Sequence, residues 1–189
     1  KSKSKRLLTM MMMNSLSKMA KRTLQVVSRT SQLHTIGVVG AGGSMGHGVV
    51  QLAASSGYDV VAVEMNGDAL ERGMGAIEKS LTMLNGKAAK KGKITEEEAS
   101  TLTSETMGRI KGTTELEDAA DCDLIIEAIV EDMSVKIPFY ENLGKIAKAD
   151  AILATNTSSY SVEEMAVASG RPSQMVGLHY FNPVQLMKL

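Results

Sequence analysis

From Thr35 onward, short apolar runs alternate with longer stretches in which apolar residues recur every three or four positions. Residues 35–40 (Thr-Ile-Gly-Val-Val-Gly) are a continuous apolar run ending in glycine, the pattern of a buried strand. Residues 45–56 place Val49, Val50, Leu52 and Ala53 at helical spacing and predict a helix closed by Gly57. Residues 59–64 (Asp-Val-Val-Ala-Val-Glu) predict a second strand. Strand, helix and strand in that order make one βαβ crossover, the unit of a parallel sheet.

The alternation continues. A long helix is predicted from 68 to about 85, then a basic, glycine-containing stretch over 86–93. Thr95 reads as the N-cap of a further helix, with Glu96, Glu97 and Glu98 in its first turn. Residues 109–113 and 123–128 read as strands, and 134–149 as a helix. With Ser134 as its N-cap, Pro138 falls just past the first turn, where proline removes a backbone hydrogen bond. A strand over 151–155, a helix over 162–168 and a strand over 175–178 complete the pattern. This order predicts an α/β fold with a doubly wound, mainly parallel sheet.

Composition narrows the function classes. Over 189 residues the formal net charge is zero, so bulk electrostatics gives no case for nucleic acid or a membrane surface. No apolar run approaches the roughly 20 residues that span a bilayer. The single cysteine, Cys122, excludes an intrachain disulfide framework and reads as a buried thiol. No spacing of ligand-type residues calls for a metal.

Charge is unevenly spread. No acidic residue precedes Asp59, whereas residues 1–33 carry Lys1, Lys3, Lys5, Arg6, Lys18, Lys21, Arg22 and Arg29 among many serines. That composition is expected of a transit peptide to the mitochondrial matrix. The other reading is a disordered tail, or sequence upstream of a true start among Met10–Met13, in a cytoplasmic protein. Either way 1–33 is set apart from a folded domain over 34–189.

The loop Gly40-Ala41-Gly42-Gly43-Ser44-Met45-Gly46 follows the first strand and opens the first helix. Glycines at such a turn let a backbone approach a pyrophosphate at the helix N-terminus. The loop is one residue longer than G-x-G-x-x-G if Gly40 is the first glycine; counted back from Gly46, Ala41 takes that place, and both registers stay open. Glu64 ends the second strand eighteen residues after Gly46, where an acid binds the adenosine ribose and repels a 2′-phosphate. The combination predicts a Rossmann-type dinucleotide domain that takes NAD rather than NADP. His34 and His47 read as incidental.

Four segments, the first overlapping this loop, stand out: Gly-Ser-Met-Gly-His-Gly (43–48), Ile-Glu-Ala-Ile-Val-Glu (126–131), Thr-Asn-Thr-Ser-Ser (155–159) and Gly-Leu-His-Tyr-Phe-Asn-Pro-Val (177–184). In these, and in their order, the sequence resembles the NAD-binding domain of the 3-hydroxyacyl-CoA dehydrogenase family. The resemblance implies oxidation of a 3-hydroxyacyl-CoA to the 3-ketoacyl-CoA in fatty-acid β-oxidation, with NAD as cofactor. Run in reverse, the same residues make a 3-hydroxybutyryl-CoA dehydrogenase. His179 is then the general base, since an imidazole exchanges protons near neutral pH. Ser158 and Asn182 hold the substrate oxygen and the nicotinamide end, and Glu131 and Lys136 contact the cofactor. Ser80 and Lys87 fall where the family contacts coenzyme A, and Lys90 and Lys91 would suit its phosphates. The family also has a glutamate just past the position of Leu189 and a helical C-terminal domain that forms a homodimer. This chain is therefore expected to be a fragment, weakly active alone. The contrasting expectation is a truncated, non-catalytic NAD-binding module.

Overall fold

The computed structural model describes residues 33–187. Apart from Leu33, the expected leader lies outside the described residues. Six strands and five helices alternate: β1 (Thr35–Val39), α1 (Gly46–Ser55), β2 (Asp59–Val63), α2 (Gly67–Lys90), α3 (Glu96–Gly108), β3 (Ile110–Thr113), β4 (Leu124–Glu127), α4 (Met133–Ile146), β5 (Ile152–Thr155), α5 (Val162–Ala168) and β6 (Met175–Gly177). The sheet is parallel throughout, in the order β3-β2-β1-β4-β5-β6. The strand order reverses between β1 and β4, which opens a crevice at their carboxyl ends.

Short strands suffice because both faces of the sheet are covered, so every position along a strand can be apolar. Successive residues go to opposite sides. Val38, Ala62, Ile126 and Ala154 join Val49, Val50, Ile77 and Leu81 in one core. Val39, Val63, Ile125 and Leu153 join Tyr140, Leu143 and Met165 in the other. Register aligns Thr113, Val63, Val39, Glu127, Thr155 and Gly177 in one row across the sheet. The residues that follow this row are the loops along the carboxyl edge: Gly40, Glu64, Ala128, Asn156 and Leu178.

The strands fall where the apolar runs predict them, trimmed by a residue at their ends. Two expectations on helices are corrected. The helix expected to end near 85 runs through Gly86 and Lys87 to Lys90, so the basic stretch is largely its last turn. Its extension lies against α3, where Asn85 Nδ2 donates to Thr103 Oγ1 at 2.9 Å. The second correction is the cap of α4, which is Asp132 rather than Ser134: the Asp132 carboxylate accepts from Ser134 N at 2.8 Å and from Ser134 Oγ at 2.7 Å. Pro138 is therefore the sixth residue of the helix and fully internal to it. The Thr95 cap of α3 forms as predicted and is completed by Glu98 into a reciprocal capping box.

Candidate active site

The glycine loop settles its own register. Gly40 has φ +88°, a left-handed conformation that favours glycine, and a Cβ there would lie 2.5 Å from the Ala128 carbonyl oxygen. A Cβ on Gly46 would lie 1.9 Å from Gly40 O, so α1 can start this close to β1 only with glycine. At Gly42 it would meet Ala69 O of α2 at 2.6 Å. Ala41, by contrast, is buried in the first core with its methyl accommodated. Gly40 is thus the first glycine and Gly46 the last, with the extra residue in the exposed Gly43-Ser44 segment. No side chain caps α1. Glu64 leaves β2 beside this turn, and its Oε2 accepts from Gly42 N at 3.2 Å. A backbone cradle at a helix N-terminus, with a carboxylate within reach, fits a dinucleotide's pyrophosphate and adenosine ribose.

The next loop is organised by a residue that the sequence reading passed over. Glu127, the last residue of β4, is 0% exposed yet charged. Its Oε1 accepts from Ile129 N at 2.9 Å and from the Lys136 ammonium at 2.5 Å. Its Oε2 accepts from Thr155 Oγ1 at 2.8 Å and from the Tyr140 hydroxyl at 3.2 Å. A buried carboxylate is tolerable only when its lone pairs are satisfied in this way. Burial, reinforced by the Glu127 charge, pushes the Tyr140 phenol far above its usual range. Lys136, 1% exposed, also bridges to Glu131 Oε2 at 3.2 Å. Glu131 in turn accepts from the Thr157 hydroxyl and from Ser158 N at 3.3 Å. Partial burial works against its charge, but Thr157 and Lys136 outweigh that and hold its carboxyl below the usual range. One ion network, buried at Glu127 and Lys136 and exposed at Glu131, therefore ties the loop after β4 to the loop after β5.

The loop after β6 carries the histidine. Leu178 N donates to Thr155 O at 2.8 Å, and Tyr180 N donates to Asn156 Oδ1 at 2.7 Å. Asn156 thus orients the segment. His179 projects between these anchors and Phe181 just past them, their rings 4.8 Å apart. His179, Asn182, Ser158, Asn156, Glu131 and Met45 line one cavity of about 350 Å³, with Lys136 and Glu127 in its wall. The structure therefore brings together the predicted His179, Ser158, Asn182, Glu131 and Lys136 beside the last residues of the glycine loop. The Lys136 ammonium is engaged by two carboxylates, so it acts on the site chiefly through Glu131. Ser80 and Lys87 lie elsewhere, two turns apart on one face of α2, and do not line this cavity. His47 has a local role: its Nδ1 lies 2.7 Å from Gly43 O. Cys122 is buried, and burial pushes its thiol up to about 11. Among the described residues no cluster of three His, Cys, Asp or Glu could hold a metal ion, and no helix is long and apolar enough to cross a membrane.

Comparison with known proteins places this arrangement. Residues 35–189 match the family model described as 3-hydroxyacyl-CoA dehydrogenase, NAD binding domain. A probable 3-hydroxybutyryl-CoA dehydrogenase of Deinococcus radiodurans is 50% identical over 153 residues, covering 81% of this chain and 51% of that protein. A 3-hydroxybutyryl-CoA dehydrogenase of Clostridioides difficile is 41% identical over 82% of this chain and 52% of its own length. The crystal structure of (S)-3-hydroxybutyryl-CoA dehydrogenase PaaH1 from Ralstonia eutropha superposes with a TM-score of 0.73 at 34% identity, over 82% of this chain and 52% of that one. The chain spans about half the length of these relatives. Sheet order, glycine cradle and family match agree, and the chain belongs to the 3-hydroxyacyl-CoA dehydrogenase family, of which it carries the NAD-binding domain.

Proposed function

We propose that this chain is the cofactor-binding half of an NAD-dependent 3-hydroxyacyl-CoA dehydrogenase of fatty-acid β-oxidation. The convergence of His179, Ser158 and Asn182 on one cavity beside the glycine loop carries this reading. Gly40, Gly42, Gly46 and Glu64 would hold the pyrophosphate and adenosine ribose of NAD, and Ser158 and Asn182 its nicotinamide end. Bound there, NAD supplies the hydride acceptor. His179 takes the proton of the substrate's 3-hydroxyl on its imidazole. The Ser158 hydroxyl and Asn182 amide donate to the C3 oxygen as it becomes a carbonyl, stabilising charge where it develops. Run backwards, the same groups protonate the oxygen of a 3-ketoacyl-CoA, the direction of a 3-hydroxybutyryl-CoA dehydrogenase.

Ser80 and Lys87, on an accessible face of α2, take the coenzyme A portion, with Lys90 and Lys91 near its phosphates. A helical second domain that supplies the acyl pocket and a homodimer interface belongs to the same reading, as does a matrix address in the basic leader. The test is substrate class: the complete gene product is assayed with 3-hydroxybutyryl-CoA and with free 3-hydroxybutyrate. The thioester is expected to be preferred by about a hundredfold or more in kcat/KM, since the phosphate contacts act only on it. Equal use of the free acid would remove the assignment of Ser80 and Lys87.

A further inference from the structure

Gly48 lies in the first turn of α1, two residues past the last loop glycine, and nucleotide binding gives it no task. Glycine is among the poorest helix formers, so one inside a helix calls for a packing reason. A Cβ at Gly48 would sit 2.9 Å from Val184 Cβ and 3.0 Å from Val184 Cγ2. Val184 is buried in the first core, five residues after His179. The next residue repeats the attachment: Gln185 Nε2 donates to Oε1 of the buried Gln51 at 3.1 Å. Gly48 and Gln51 are three residues apart and share one face of α1. The segment 178–185 is thus a strap. Thr155 O at the end of β5 and Oδ1 of the following Asn156 hold its start, and α1 holds its end. His179 and Asn182 project between the two attachments, and both are exposed.

We propose that Gly48 is a positioning residue: the missing side chain is a notch that seats Val184 and so fixes the strap that presents His179 and Asn182. Val184 suits the notch because a β-branched side chain has little rotamer freedom. The helix that begins the nucleotide site thereby also sets the position of the proton acceptor. This inference rests on the reading of His179 as that acceptor.

The test is Gly48→Ala in the complete protein, with Val184→Ala and the double variant alongside. NADH affinity is expected to stay within about twofold, because alanine favours the helix and the loop glycines are untouched. Exchange of the Leu178 and Tyr180 amide protons rises about tenfold as the strap loosens. Turnover of acetoacetyl-CoA falls about tenfold or more at unchanged KM for NADH, since a small misplacement of a catalytic group is costly. Val184→Ala in the Gly48→Ala background removes the Cγ2 contact and lets the remaining Cβ recede. It brings exchange and turnover back to within about threefold of the Val184→Ala protein. Wild-type exchange and turnover in Gly48→Ala overturn the proposal. So does a parallel collapse of NADH affinity, which would assign Gly48 to the nucleotide loop. Turnover that is indifferent to His179→Gln sinks the proposed reaction instead, and the exchange measurement then decides the strap by itself.

Discussion

Glu127 shows how one buried side chain holds a site together. It sits where a fourth apolar strand residue would be expected, and its carboxylate is the common partner of Ile129, Lys136, Thr155 and Tyr140. The only sequence signal is a charge closing the run Leu-Ile-Ile, and that reads equally well as a strand leaving the core. What makes it structural is Lys136, nine residues later and one helical turn into α4, which no local pattern pairs with it. Breaking such a pair leaves an uncompensated buried charge. Lys136→Met is expected to destabilise the fold by about 3–5 kcal/mol, measured by denaturant unfolding, and adding Glu127→Gln should recover much of that loss. A double variant no more stable than Lys136→Met would contradict the pairing. The catalytic candidates His179, Ser158 and Asn182 were legible because they lie in short segments that match the family's motifs, not from their residue types alone.

Among the elements, most strands were readable because a covered parallel sheet favours apolar runs; the exception is the edge strand β3, Ile-Lys-Gly-Thr, which has none. Helix ends were less so. Gly86 looks like a stop, yet α2 continues past it because Asn85 and its neighbours pack on α3, a contact between residues eighteen apart. Asp132 and Ser134 are both good capping residues, and the carboxylate prevailed by accepting from both the amide and the hydroxyl of Ser134. The consequence is an exposed proline at the sixth position of α4, where the Ser134 carbonyl lacks its usual backbone donor. Pro138→Ala is expected to raise stability by about 1–2 kcal/mol, the gain in helix propensity exceeding the entropy returned to the unfolded chain. A lower unfolding midpoint in that variant would show that the proline is held by packing instead. The strap's attachment to α1 was beyond local reading altogether, since Gln185 and Gln51 are 134 positions apart.

Across the fold, the two ends of the sheet do different work. The carboxyl edge gathers the loops that build the cavity. At the amino edge, Asp123 binds the chain where it enters β1: Oδ2 accepts from His34 N at 2.7 Å and Thr35 N at 2.9 Å, and Oδ1 accepts from the Lys148 ammonium at 2.5 Å. Burial opposes its charge, but Lys148 and the two amides hold its carboxyl far below the usual carboxylate range. A depressed folded pKa stabilises the native state above the unfolded value of about 3.9 and ceases to do so as pH falls through the folded value. Asp123→Asn should therefore lower the thermal midpoint at pH 7, and the gap from wild type should narrow progressively as pH falls below the unfolded value of about 3.9. A gap as wide at pH 2 as at pH 7 would mean that Asp123 acts through shape rather than charge.

The decisive measurement is acetoacetyl-CoA-dependent oxidation of NADH by the complete gene product and its His179→Gln variant, with NADH affinity measured on both. Loss of a positioned general base is expected to lower kcat by about a hundredfold or more, with NADH binding within about threefold. A variant that keeps its turnover would contradict the role given to His179, and with it the dehydrogenase built around this cavity.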